Sequence, residues 1–458
     1  MPRPATSRRG PGTGQPGYVP GRGRPGYVPG RGEPGYVPGR GEPGYVPGRG
    51  QPGYVPGRGQ LIDPDPDPHR DPDHGFGYDR PPRPTRRRRR RRLRDRRWVR
   101  ITLALVVAFA LWISWSVGHA LTVPGGGTVS ERLAEWARGH YLGPVVTFGE
   151  WVSYQPPKVG GKPSFALTGP SAGSVKAPKK ATYGPPPALK PIVASPVPGE
   201  GTWRVLGTVA GNPAIFGTYL RASSIYSSYV AGVVSMNQKL VRFELHPGAV
   251  DPGPGPWQSA TYIPPAARLG LLATFNGGFK ISSSGGGFYL NGRTFGTLTN
   301  GTASAVYYRD GHMAIGVWGS TVTMTPDVVG VRQNLHPIVE NGAIPASVDS
   351  NVESSWGATL GGGYYVWRSG VGITPDGRII FVYGPSLNVR EVATLLQRAG
   401  CVTAMELDIN PDWMSYMYYL PKSNPADPTP VNLLPNQLQA PTRYYSPASR
   451  DFTAVYAR

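Results

Sequence analysis

The chain has 458 residues, 64 of them glycine and 53 proline, and a net charge of +21. Glycine and proline together make up about a quarter of the residues, which excludes a chain that is globular throughout, and the single cysteine, Cys401, excludes any intrachain disulfide. Residues 1–100 hold 23 arginines against 9 acidic residues, so the excess charge describes a basic tail and not a basic folded surface.

Residues 16–59 are five copies of a nine-residue unit, PGYVPGRG plus one variable residue. The period is too short for a solenoid, and each copy offers only Tyr and Val as apolar groups. The segment is expected to be disordered, either as a solvated tail or as a cytoplasmic interaction tail making multivalent cation–π contacts. An acidic, proline-rich spacer (DPDPDPHRDPD) follows, then an arginine run at 86–92. That run abuts 101–117, ITLALVVAFALWISWSV, which has no charged side chain and is extended to Val123 by weakly polar residues. The length suits a transmembrane helix, with Trp98, Trp112 and Trp115 at the interfaces. The positive-inside rule puts the tail in the cytoplasm and everything after the helix outside. A basic leader of this length is far longer than an ordinary signal-peptide n-region, so an uncleaved signal anchor is expected. The arginine tract is expected to set topology and to contact anionic lipid. It lacks the interleaved aromatics of a nucleic-acid stacking surface, so nucleic acid is not the expected partner.

After the membrane, SERLAEWARGH (130–140) reads as a short helix with Leu133, Trp136 and Ala137 on one face. Residues 155–201, rich in Pro, Lys, Ala and Gly, read as an extended linker. From Trp203 onward short alternating or apolar runs are separated by turn residues, the pattern of strands. Asp310-Gly311 between 303–308 and 312–318 predicts a hairpin with a type I′ turn, and Pro375-Asp376-Gly377 predicts another. Residues 388–399 are the clearest helix, stopped by Gly400, and 402–409 is then a strand. The expected organisation is a tail (1–100), an anchor (101–123), a juxtamembrane helix and linker (124–202), and a domain (203–458) of α+β class dominated by sheet.

Four segments of that domain put Asn, Arg or carboxylates beside glycines or at strand ends. They are FNGGFK (275–280), QNLHPIVENG (333–342), WRSGVGITPDGRII (367–380) and AMELDIN (404–410). Glu406 and Asp408, two apart on a strand, share a face with Cβ atoms about 6–7 Å apart. Paired carboxylates of glycoside hydrolysis lie about 5–9.5 Å apart. Cys401 reads as a buried small hydrophobe, and His336 as a packing residue. No HExxH or cysteine cluster marks a zinc site, and no cofactor is expected. Glu406, Asp408 and Asp412 form the one oxygen set that could take a hard divalent cation.

In this order, over 204–458, the four segments resemble the phosphodiester glycosidase family. The resemblance implies that Asp408 is the catalytic or ligand-anchoring acid, with Glu406 beside it. It implies that Asn276, Gly277 and Gly278 form a turn meeting the sugar, that Arg368 receives a phosphodiester oxygen, and that Asn341 and Gly342 line the same cleft. Plainer alternatives stand beside these roles: a structural carboxylate at Asp408, an Asx-turn at Asn276, and a pairing of Arg368 with Glu406 or Asp408. The chain departs from the family pattern at 409–413, where Ile-Asn-Pro-Asp-Trp replaces a glycine-rich turn and Ser. The expected function is a membrane-anchored extracytoplasmic glycosidase cleaving a sugar-1-phosphodiester in an envelope glycan or glycolipid. The alternatives are a non-catalytic glycan-binding module on the same fold, or an interaction protein acting through its tail.

Overall fold

The computed structural model describes residues 86–122, 129–168, 183–350, 356, 357 and 364–458. The repeats lie outside these residues. Helix α1 (Arg86–Thr122) joins the arginine run to the apolar segment. Within it, Arg96–Thr122 is long and apolar enough to cross a membrane. Helices α2 (Val129–Gly139) and α3 (Gly143–Ser153) follow.

Among the described residues seventeen strands make the domain. They are β1 (Arg204–Val209), β2 (Asn212–Leu220), β3 (Ala231–Asn237), β4 (Val241–His246), β5 (Leu271–Asn276), β6 (Phe288–Leu290), β7 (Arg293–Phe295), β8 (Ala303–Tyr308) and β9 (Met313–Val317), followed by β10 (Val328–Gln333), β11 (Pro337–Val339), β12 (Val366–Ile373), β13 (Arg378–Leu387), β14 (Thr403–Glu406), β15 (Tyr416–Leu420), β16 (Thr429–Asn432) and β17 (Phe452–Ala457). One helix, α4 (Val389–Arg398), lies between β13 and β14. The class is α+β, dominated by sheet.

The strands form three antiparallel sheets, ordered β1-β2-β3-β13-β12-β14-β11, β7-β6-β10-β8-β9, and β16-β15-β5-β17-β4. The seven-stranded sheet is covered on both faces, which the period-2 alternation of β13 makes possible. Ile380 and Val382 meet Val392, Leu395 and Leu396 of α4. Ile379, Phe381 and Tyr383 enter the main core with Phe275 and Tyr416 of the third sheet. Helix α4 starts where it does because Asn388 and Glu391 cap each other's main-chain N–H groups. It stops at Gly400, whose φ of +94° suits a residue without Cβ.

Both expected hairpins form, with a different turn from type I′ in the first. Only Gly311 has positive φ there (83°), Gly311 N–H donates to Tyr308 O, and Tyr308 N–H to His312 O. This is the three-residue loop with a left-handed glycine, the next most common solution for strands of this twist. Gly377, at φ 81° with its N–H on Thr374 O, repeats it. The described parts of the proline-rich segment lie against the domain: Leu167 and Leu189 are buried, and Glu200 pairs with Arg221 at 2.7 Å.

Candidate functional site

Strand β14 runs between β12 and β11 and leaves the sheet after Glu406. The two residues beyond, Leu407 and Asp408, stay buried because neighbours hold their backbone. Ser369 of β12 donates its N–H (3.1 Å) and its hydroxyl (2.9 Å) to Asp408 O. Asn334, just past β10, donates its amide to Glu406 O at 2.8 Å. The end of β14 is thus fixed by side chains from two sheets, and its two carboxyl groups are placed differently.

Glu406 has no exposed surface. Its Oε1 accepts from Arg368 Nη1 at 2.5 Å, and Arg368 Nε donates to Leu387 O at 3.0 Å. Its Oε2 is sealed without a partner. Burial pushes the Glu406 carboxyl up to about 7 against the opposing pull of Arg368, and Asp408 adds to the rise. Asp408 Oδ1 accepts from its own turn, Ile409 N–H at 2.8 Å and Asn410 N–H at 2.9 Å. Burial pushes it up to about 6, opposed by the charge of Arg450, those two N–H groups and Arg332.

Three further carboxylates, Asp451, Asp251 and Glu135, and three cations, Arg332, Arg450 and Lys280, form ion pairs next to Asp408, which feels the charge of Arg450 and Arg332. Arg332 donates Nε to Asp451 Oδ2 at 2.9 Å, Nη1 to Gln333 O at 2.7 Å, and Nη2 to Phe279 O. Arg450 reaches Asp251 and Glu135 of α2, both at 3.5 Å, and Lys280 holds the same Glu135 at 2.9 Å. Lys280 is the more open of the two cations on Glu135, with side-chain exposures of 36% and 9% for Lys280 and Arg450. The turn at 409–413 closes on itself, with Asp412 N–H on Asn410 Oδ1 at 2.9 Å and Trp413 N–H on Asn410 O. It buries Trp413, whose ring lies 5.0 Å from the Arg450 guanidinium and 5.3 Å from that of Arg443. The turn thus sets a buried aromatic against two guanidinium groups.

Of the residues singled out in the sequence, Glu406, Asp408, Arg368, Asn276, Gly277 and Gly278 come together, and Asn341 and Gly342 do not. Asn276 spends its amide on the fold: Nδ2 donates to Ser369 Oγ (2.9 Å) and Gly277 O (2.9 Å), and Oδ1 accepts from Ser415 N–H (3.1 Å). The glycines admit side chains to the backbone. A Cβ on Gly277 would stand 2.0 Å from Asp451 Oδ2, and one on Gly278 would stand 2.8 Å from Asn334 Oδ1. Arg368 takes the pairing alternative, with Glu406. Asn341-Gly342 is the turn after β11, where Gly342 N–H binds Val402 O and Gly342 O accepts from Gln397. That is the opposite end of β14, about 13 Å or more from Glu406 at the rise of a strand. His336 is exposed, its ring edge-on to Trp356 at 6.4 Å, because the step into β11 turns it outward. Cys401 is buried, and burial raises its thiol.

Arg332, Asn334, Asp251, Arg450 and Asp451 are site residues that the sequence reading missed. Their signal was present as charge inside apolar strand patterns: RQN ends VVGV, and RD opens FTAVYA. Among the described residues no three His, Cys, Asp or Glu side chains group as a cation site, so the Glu406, Asp408 and Asp412 set is not assembled. A cavity of about 580 Å³ lined by Gln258, Tyr289, Asn291, Arg309 and Val329 opens at the other end of β10 from Arg332 and shares no residue with this cluster.

Residues 270–408 match the sequence model of the phosphodiester glycosidase family. The match contains the first three segments singled out above and ends at Asp408, the last residue before the divergent turn. No curated protein matches the chain. Among solved structures, the catalytic domain of zebrafish N-acetylglucosamine-1-phosphodiester alpha-N-acetylglucosaminidase is similar at 13% identity, over 56% of this chain and 87% of that one, with a TM-score of 0.35. A hypothetical protein from Synechocystis is similar at 13% identity, over 55% and 63%, with a TM-score of 0.28. A putative exported protein from Burkholderia pseudomallei is similar at 12% identity, over 50% and 74%, with a TM-score of 0.24. The C-terminal domain of this chain is phosphodiester glycosidase-like.

Proposed function

We propose that the domain is a membrane-anchored glycosidase that hydrolyses a sugar-1-phosphodiester outside the cytoplasm, with Asp408 as its reacting carboxylate. The observation that carries this is a buried carboxylate held by two main-chain N–H groups within the field of Arg450 and Arg332. A carboxyl titrating near 6 is largely ionised at neutral pH, so Asp408 acts as base or nucleophile and not as the acid. The bond from the sugar C1 to the phosphate oxygen breaks, water supplies the hydroxyl at C1, and Asp408 takes the proton from that water. The leaving group is a phosphate monoester whose second pKa is about 6, so it departs without a general acid. It needs charge neutralisation, for which Arg450, whose charge acts on Asp408, and Lys280, joined to Arg450 through Glu135, are available. A second catalytic carboxylate is then unnecessary, in keeping with the enclosure of Glu406 by Arg368. Glu135 holds both cations, and the substrate phosphate has to take its place.

The arginine-rich flank of α1 supports a cytoplasmic tail and an extracytoplasmic domain. A second reading, a glycan-binding module without turnover, draws on Trp413, buried in the divergent turn that follows Asp408. One assay separates the two. Wild-type chain and Asp408→Asn are incubated with a panel of sugar-1-phosphodiesters, and free sugar is measured. The enzyme reading expects release by the wild type and a loss of about 10²-fold or more in the variant. Binding of a panel member with no release by the wild type would establish the module instead.

A further inference from the structure

Helix α2 touches both the membrane helix and the candidate cleft. A span of about 20 residues crosses the hydrocarbon layer. Counted from Ile101, the residue after Arg100, it closes near Ala120. Arg132 near the start of α2 donates to Leu121 O, just beyond that point. Farther along, Trp136 Nε1 donates to Ser116 Oγ at 2.9 Å, His140 Nε2 lies 3.3 Å from the same hydroxyl, and the His140 and Trp112 rings are 5.8 Å apart. Helix α2 therefore folds back along the outer end of α1. On the same helix, Glu135 holds Lys280 and Arg450, and the charge of Arg450 acts on Asp408. Glu135 neighbours Trp136 in sequence, so this ion-pair network lies close to the contact of α2 with the outer end of α1. Beyond α3, Tyr154 donates to Tyr365 O at 3.3 Å, a second tie between this hairpin and the domain.

Helix α3 follows α2 after a short turn. It contains a single charged residue, Glu150. Leu142 just before it, and Val145 and Val152 within it, fall on one helical face and are 43%, 66% and 63% exposed. That face is exposed, and it is continuous with a helix long and apolar enough to cross a bilayer. Next to a membrane span, such an apolar face can be buried at the boundary of headgroups and acyl chains.

We infer that α2 and α3 seat the cleft on the outer surface of the membrane that α1 crosses, so that the sugar phosphodiester it hydrolyses is carried on a lipid of that membrane. This rests on the glycosidase reading above for the reaction, but not for the seat. The surface seat admits a substrate whose phosphate lies at headgroup level, where Lys280 and Arg450 stand, and whose hydrophobic aglycone never leaves the acyl layer. A soluble or wall-attached phosphodiester would have to enter between the domain and the lipid.

The full chain in vesicles tests both parts. Val145→Cys and Val152→Cys each carry an environment-sensitive dye, with Ser320→Cys on an exposed turn as the aqueous control; native Cys401 is buried and stays unlabelled. The dyes at 145 and 152 are expected to be quenched by spin-labelled lipid and shielded from iodide, and the dye at 320 the reverse. Iodide quenching at 145 and 152 equal to that at 320 overturns the seat. In the second arm, one sugar-1-phosphate is esterified to a long-chain lipid alcohol or to a short soluble alcohol. The expected kcat/KM favours the lipid ester by about tenfold or more, the scale of confining both reactants to one surface. The double variant Val145→Asp, Val152→Asp should erase that preference while hydrolysing the soluble ester at the wild-type rate. Equal wild-type rates on the two esters overturn the lipid assignment. Hydrolysis of neither ester refutes the glycosidase reading, and the dyes then decide the seat alone.

Discussion

Asp408 and Glu406 sit two residues apart, are equally buried, and differ in what faces them. The carboxyl of Asp408 rises with burial, so its folded-state value, near 6, lies above the ordinary value of about 3.9. A raised carboxyl favours folding only while it is protonated. That contribution is complete below about pH 4 and is lost as pH climbs through about 6. Asp408→Asn keeps an oxygen for the Ile409 and Asn410 N–H groups and removes the charge. We predict that it raises the unfolding free energy at pH 8 by on the order of 2–3 kcal/mol and leaves it unchanged at pH 4, as read by denaturant titration. The same carboxylate should make kcat/KM fall below about pH 6, where its base form disappears. Arg368 belongs to the fold: Arg368→Gln would strand Glu406 in the interior and cost about 3–5 kcal/mol. Arg450→Gln should instead raise KM for the phosphodiester in a protein that still melts cooperatively. A pure KM effect from Arg368→Gln would contradict that division.

At the scale of elements, the glycines are what let three sheets converge. Gly277 and Gly278 lie where β5 ends, and any Cβ there meets Asp451 or Asn334. Alanine at Gly277 should therefore cost about 2–3 kcal/mol or more, through overpacking and loss of the Asp451–Arg332 contact. Alanine at Gly342, at φ 76° with open space around its Cβ position, should cost only about 1 kcal/mol. Similar losses at the two positions in thermal melts would refute this account of the turn. The contrast also marks how far the sequence could be read. Helix α4 was legible because its cap, apolar face and terminal glycine are all local, and β13 because its apolar run is long. The meeting of Asn276, Arg368, Glu406 and Asp408 was legible only through the resemblance. The partnership of Arg332 with Asp451 spans 119 residues and leaves no periodic trace. Asn341-Gly342 looked like the other Asn-Gly site; which end of β14 it occupies is decided by the antiparallel pairing of β11, a non-local fact.

For the whole molecule, the arginine-rich start of α1 and the apolar stretch that follows it predict a fixed orientation. Protease added to intact cells should remove 203–458 and spare the repeats; protection of that domain would reverse the topology. Deleting 1–60 should leave the melting temperature of the domain unchanged, because the repeats carry too little apolar surface to join its core. The central claim is narrower than either: this domain breaks a C1–oxygen bond with Asp408 while cations receive the phosphate. Hydrolysis of a sugar-1-phosphodiester by the wild-type chain in ¹⁸O-labelled water tests it most directly. The account predicts the heavy oxygen on C1 of the released sugar, an unlabelled phosphate monoester on the aglycone, and about 10²-fold or more less of both from Asp408→Asn. Heavy oxygen in the phosphate would show attack at phosphorus and contradict it.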